Sequence, residues 1–177
     1  MGKGIAGKSK LTYAFIDYEA PSGHDPTIED RYKACYNYDG KDYEIDILDT
    51  AGEEDYENML DMWISISDGF LLVFTIDNRE SFEYLKIKRE LVLESKKKNK
   101  FPMILVGNNQ ELENERKVSY KEAKDLANSW GIEYLEASAK TKYNIKEVFE
   151  KLFQKIAKNL AIIGKNQLTK FDDHGII

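Results

Sequence analysis

Three apolar runs interrupt an otherwise polar chain: GFLLVFTI at 69–76, FPMILVG at 101–107 and IEYLEAS at 132–138. Short, largely continuous apolar runs of this kind are the pattern of strands buried on both faces of a parallel sheet. Between them the spacing changes to that of helices. Ala123, Leu126, Ala127 and Trp130 fall at i, i+3, i+4 and i+7, just after Ser119-Tyr-Lys-Glu122, a capping box. Ile145, Val148, Phe149, Leu152 and Ile156 repeat the spacing, with Asn144 placed as an N-cap. Upstream, RYKACYNY and KDYEIDIL flank Asp39-Gly40, a strong hairpin signal. In the second of these strands Tyr43, Ile45 and Ile47 share one face while Asp42, Glu44 and Asp46 share the other. Strands alternating with helices predict an α/β fold with a mostly parallel sheet, helices on both faces and one antiparallel edge strand. With no internal repeat and no dividing linker, residues 1–163 read as a single domain. The tail GKNQLTKFDDHGII, 164–177, has no periodicity and is expected to be flexible.

Composition narrows the class of function. A hydrophobic share of 42% over 177 residues supports a packed core rather than disorder. A net charge of −6 argues against nucleic acid as a partner, which calls for a basic surface. Cys35 is the only cysteine, so no internal disulfide forms and a reducing compartment suits the chain. No apolar run approaches the ~20 residues of a membrane span, and MGKGIAGKSK has no apolar signal-peptide core. The lysine run SKKKNK at 95–100, and Lys151, Lys155, Lys158, Lys165 and Lys170, read as solvated faces. The expectation is a cytoplasmic monomer, peripheral to a membrane at most.

The amino-terminal stretch Gly2-Lys3-Gly4-Ile5-Ala6-Gly7-Lys8-Ser9 fits the phosphate-loop pattern G-x-x-x-x-G-K-[ST]. Glycines let backbone N–H groups close around phosphate oxygens, and the following helix adds its positive dipole end. Lys8 is placed to reach the outer phosphates and the Ser9 hydroxyl to bind Mg2+. Alone, such a stretch is also compatible with a glycine-rich disordered terminus. A second motif strengthens the functional reading. LDTAGEE follows the second hairpin strand, which sets Asp49 at a strand's carboxyl end, where open α/β sheets bind ligands. Asp49 can hold Mg2+ through water, Gly52 allows close backbone approach to a terminal phosphate, and Thr27 in HDPTIEDRY offers a second hydroxyl ligand.

The ordered set GKGIAGKS, DPTIEDRY, DTAGEE, GNNQE and EASAK resembles the Ras family of small GTPases, over nearly all of the chain from Gly2 to about Leu160. DPTIED is closer to Ras, Rap and Rheb than to Rab. The resemblance implies a P-loop NTPase fold that binds GTP or GDP with Mg2+. Residues Gly2 to Ser9 and Lys8 in particular would hold phosphates, Thr27 in switch I would sense the γ-phosphate, and Ser9, Thr27 and Asp49 would serve the metal. Asp49 and Gly52 would begin switch II, where Glu53 stands at the catalytic position beside Lys8. Asn108, Asn109 and Glu111 would face the guanine, with Ser138, Ala139 and Lys140 along its other edge. Pro26 to Tyr32 matches the effector segment, and GTPase-activating and exchange factors are the other implied partners. Gly4 stands where a side chain would obstruct an activating protein's arginine finger.

Four departures set alternatives against this reading. Glu53 replaces the glutamine that orients the attacking water. Asn109 replaces a lysine whose stem covers the base, and Glu111 carries its carboxylate one methylene further out than the usual aspartate, about 1 Å, at a contact that demands bidentate geometry. Ala20 stands where an aromatic ring usually meets the base edge. Phosphate recognition is intact in the sequence and base recognition is eroded. A slow GTP-hydrolysing switch, a degenerate GTPase acting as a non-catalytic binding module, and an NTPase of altered base preference all remain open. Two further features depart. Only Met1 precedes the loop, so the central first strand is missing, which points to amino-terminal truncation with no later segment as an obvious substitute. The end FDDHGII lacks a prenylated cysteine box.

Overall fold

The computed structural model describes residues 1–17, 29–38, 40–50, 57–98, 100–162 and 175–176. The run expected at 69–76 is strand β3, Ser67–Thr75, and its side chains alternate between two cores. Phe70, Leu72 and Phe74 pack on one face against helices α2 (Glu57–Ile66), α3 (Arg79–Ser95) and α4 (Tyr120–Trp130). Leu71 and Val73 pack on the other against α1 (Lys8–Ile16) and α5 (Ile145–Ile162). A continuous apolar run is therefore what this position needs, because both faces are covered. Strands β4 (Met103–Asn108) and β5 (Glu133–Glu136) continue the sheet in parallel, as expected.

The hairpin forms as predicted. Strands β1 (Glu29–Tyr38) and β2 (Lys41–Thr50) pair antiparallel from Tyr38↔Lys41 to Glu29↔Thr50. Gly40 has φ 74°, the left-handed conformation that such turns demand. Tyr43, Ile45 and Ile47 are buried on the face shared with α5, so the alternation in β2 was a correct guide. Ser119 caps α4 by accepting from the Glu122 amide, as the capping box implies. Asn144 stands directly before α5, as expected of its N-cap, and its carbonyl accepts from the Val148 amide at 3.0 Å. Its φ is 54° and its side-chain amide donates to the Glu136 carbonyl at 2.9 Å, tying the start of α5 to the end of β5. Helix α2 has no counterpart in the sequence reading, since the polar stretch EEDYEN before it offers no cap signal.

The sheet order is β1-β2-β6-β3-β4-β5, where β6 is Gly175–Ile176. The expectation that no later segment stands in for a central strand is overturned: the far end of the chain lies between β2 and β3, parallel to both. Of the stretch expected to be a flexible tail, these two residues belong to the sheet, and 164–174 and 177 lie outside the described residues. Backbone groups in the middle of a sheet need partners on both sides, a constraint that no local pattern in the tail advertises. Met1 extends the same position. Its amino group donates to the Leu71 carbonyl, and its own carbonyl accepts from the Val73 amide at 2.7 Å. Burial pushes that amino group's pKa down, to about 4.

The packing of α5 onto β3 leaves no room for a side chain at position 69. A Cβ there would sit 2.7 Å from Ile156 Cδ1 and 3.0 Å from Leu152 Cδ1. Gly69→Ala is expected to lower stability by about 1–3 kcal/mol through overpacking. Urea denaturation reads this directly, and an unchanged midpoint would contradict the packing described.

Candidate nucleotide site

The phosphate loop starts where Met1 leaves the sheet. Gly2 passes so close to β3 that a Cβ there would lie 2.1 Å from the Val73 carbonyl oxygen. Gly4–Ala6 form one 3-10 turn, closed by the Ala6 amide donating to the Lys3 carbonyl at 2.9 Å. Gly7, at φ 73° and ψ 30°, then turns the chain into α1. The Lys8 ammonium donates to the Gly2 and Lys3 carbonyls, at 3.0 and 3.2 Å, and so lies back across the loop rather than out in solvent. The Lys3 side chain is drawn aside to an ion pair with Glu80 on α3. Gly4 and Ile5 are exposed at the loop's crest.

Asp49, near the end of β2, is buried beside this loop. Burial pushes its carboxyl above the usual carboxylate range, opposed by a hydrogen bond from the Ser9 hydroxyl and by the charge of Lys8. One oxygen, Oδ2, has no partner among the described residues. Ser9 and Asp49 are thus brought together as the sequence requires, with a carboxylate oxygen left over. Such a donor set suits Mg2+, which takes one or two protein oxygens and completes its shell with phosphate and water. Thr27, Gly52, Glu53 and Ala20 lie outside the described residues.

The two motifs expected to face the base meet at the carboxyl ends of β4 and β5. The Ala137 amide donates to the Gly107 carbonyl at 2.9 Å, and the Gln110 amide donates to the Ala137 carbonyl at 3.1 Å. Asn109 takes a left-handed conformation, φ 61°, leading into the 3-10 segment Gln110–Glu115. Ser138 is buried, accepting from the Thr141 amide at 3.0 Å and donating its own amide to the Tyr143 carbonyl at 3.1 Å. Ala139 is half-buried and Lys140 exposed at the rim. Glu111 Oε2 and Asn108 Oδ1 are both buried without a partner among the described residues.

One bond joins the two halves. Asn108 Nδ2, fully buried, donates to the Ala6 carbonyl at 3.0 Å. The contact is tight enough that a Cβ on Gly7 would come within 2.6 Å of that nitrogen. The sequence reading missed this role, having assigned Asn108 to the base alone. It also missed Arg116, whose guanidinium grips both oxygens of Glu136 at 2.8 and 2.9 Å and the Val118 carbonyl at 3.0 Å. Those bonds, from Glu136 and then Glu113, hold its pKa above the ordinary arginine value. Glu136 opens EASAK, so Arg116 fixes the loop that carries Ser138. At the other edge, Trp63 Nε1 on α2 donates to Glu29 Oε2 at 2.8 Å, anchoring the described part of the expected effector segment.

The Ras family model matches residues 1–158. The chain belongs to the Ras family. It is 42% identical to Protein ras-1 of Neurospora crassa over 165 residues, which cover 93% of this chain and 78% of that one. Ras-like protein rasB of Dictyostelium discoideum is 40% identical over 170 residues, 96% of this chain and 86% of the relative. Ras-related protein O-RAL of Diplobatis ommata is 42% identical over 157 residues, covering 88% and 76%. Membership agrees with an α/β fold built on a phosphate loop and makes this a small GTPase of the signalling type. No helix among the described residues is long and apolar enough to cross a membrane.

In this Ras family chain Arg116 and Glu136 are mostly buried, at 14% and 11% side-chain exposure. Arg116→Met leaves the carboxylate short of its main donor and is expected to cost about 1–3 kcal/mol. Thermal melting measures the loss, and an unchanged melting temperature would show that the pair does not hold the loop.

Proposed function

We propose that the chain is a GTP-binding switch that hydrolyses GTP to GDP and phosphate with Mg2+ and signals through Pro26–Tyr32. The observation that carries this reading is that, among the described residues, Asp49, Asn108 and Glu111, each in an expected nucleotide motif, bury an oxygen without a hydrogen-bond partner, as Asp46, Asp68 and Asp77 do elsewhere. Buried polar atoms ordinarily find partners, and a metal-bound nucleotide would supply them. The loop backbone and the α1 amino terminus would hold phosphate oxygens, with Lys8 drawn from the Gly2 and Lys3 carbonyls toward the outer phosphates. Ser9 and Asp49 would hold the metal, with Thr27 joining when the γ-phosphate is present. When bound, Mg2+ neutralises charge on the β- and γ-phosphate oxygens. Glu111 would accept from the guanine edge, and the Ser138–Lys140 loop would close its far side. The site has a firm phosphate half and a weakened base half, so we expect lower guanine selectivity than an Asn-Lys-x-Asp motif provides.

Glu53 favours a second reading, a binding module with little turnover. A carboxylate beside the γ-phosphate adds like charge where glutamine would orient water. Displacement of a fluorescent GDP analogue by GTP and by ATP, with Mg2+ present, tests the primary reading. Saturable binding displaced at least tenfold better by GTP is expected; equal displacement would mark an NTPase of altered base preference, and no binding would sink the switch. Single-turnover hydrolysis is expected to be slow and to rise at least tenfold in Glu53→Gln. No hydrolysis by either protein would leave the binding module as the function.

A further inference from the structure

Two lysines lie in the stretch Gly2–Ser9, and the expected loop chemistry uses the side chain of only one, Lys8. The other, Lys3, is divided between the loop and helix α3. Its carbonyl accepts from the Ala6 amide and from the Lys8 ammonium, so its backbone is part of the loop. Its own ammonium pairs with Glu80 in the first turn of α3 and stands over the Tyr84 ring, 5.7 Å from the centroid. Glu80, Tyr84 and Lys88 follow at i, i+4 and i+8, which places them along one face of α3. The Lys88 side chain is buried, and its ammonium lies 4.9 Å from the centroid of the same ring. After burial itself, the charges of Lys8 and Lys88 also hold the Met1 amino group low. Lys3, Lys8 and Lys88 thus gather about Met1 and the loop, a local excess of positive charge in a chain whose net charge is −6.

We propose that Lys3 is a second side-chain ligand for the outer phosphates of a polyphosphate anion at this loop, and that Glu80 is its built-in competitor, holding the Lys3 ammonium aside until the anion arrives. The inference rests on the nucleotide site proposed above and adds to it a residue outside every nucleotide motif, Glu80. The pair is built to exchange. Glu80 is 74% exposed, and an ion pair open to water contributes little, because solvent competes for both charges. A phosphate chain presents several negative charges to the same ammonium and accepts charge-assisted hydrogen bonds from it. Lysine suits such a move, having a flexible stem and three rotatable donors. The Tyr84 ring face attracts the ammonium without fixing its direction, so it supports the side chain on either partner. A pair that merely fastened the loop to α3 would have the opposite signature. Removing Glu80 would then loosen the loop and weaken the anion, whereas removing a competitor strengthens it.

Calorimetric titration of the full chain with Mg2+-tripolyphosphate, which carries no base, tests this at fixed ionic strength. Glu80→Gln is expected to tighten binding about threefold or more, and Lys3→Met to weaken it about tenfold. The double variant decides whether Glu80 acts through Lys3. On the Lys3→Met background, Glu80→Gln is expected to change affinity by less than about twofold, since the competitor then has nothing to hold. A smaller gain or a loss in Glu80→Gln alone would overturn the proposal. So would an equal gain on both backgrounds, which would make Glu80 a general repulsive charge. Absence of saturable tripolyphosphate binding by the original chain would overturn it as well, and displacement of the fluorescent GDP analogue then shows separately whether the proposed function stands.

Discussion

The hydrogen bond from the Asn108 side chain to the Ala6 carbonyl is the link on which the site depends. It joins the glycine-rich loop near Met1 to the end of β4, which in turn leads into the residues proposed to face the base. Asn108 is buried on the sheet's last apolar strand, so its amide has little freedom to seek water instead. A loop of glycines has no core of its own and takes its position from what it touches. Here those contacts are Asn108 at Gly7, Val73 at Gly2 and the Lys8 ammonium across the loop's own carbonyls.

The same arrangement explains why one half of the site is firm and the other less so. In the proposed function phosphate contacts would rest on backbone geometry, which the tight approaches at Gly2 and Gly7 enforce. Base contacts would rest on side chains, where the sequence departs from the expected motif. Asn109 and Glu111 stand on a left-handed turn and a 3-10 segment rather than inside a regular element. The Arg116–Glu136 pair and the Ser138 bonds nevertheless keep the facing loop ordered. The described end of the expected effector segment is likewise held by Trp63, so α2 and Glu29 are joined by a direct hydrogen bond.

Much of this is legible in the sequence. The apolar runs marked β3, β4 and β5 because strands covered on both faces leave no polar alternation. Asp39-Gly40 marked the hairpin and Ser119 the start of α4, each through a local conformational preference. The motifs located Ser9 and Asp49 because the chemistry requires those side-chain types at strand and helix ends. What stayed hidden was long-range. Asn108 and Ala6 are 102 positions apart, and nothing in either segment names the other. Gly175–Ile176 carry no strand signal, since a central lane selects for available backbone rather than for side-chain pattern. Asn144 marked the start of α5, but the bond from its side-chain amide to the Glu136 carbonyl had no local signal.

The central claim is that Asn108 makes one site of two halves rather than serving the base alone. Calorimetric titration of Asn108→Ala with Mg2+-pyrophosphate and with Mg2+-GDP separates the two possibilities. Loss of a buried bond of this kind is worth about 1–3 kcal/mol, roughly tenfold or more in affinity. The account predicts that pyrophosphate, which has no base, weakens along with GDP. Unchanged pyrophosphate affinity with weakened GDP would contradict it.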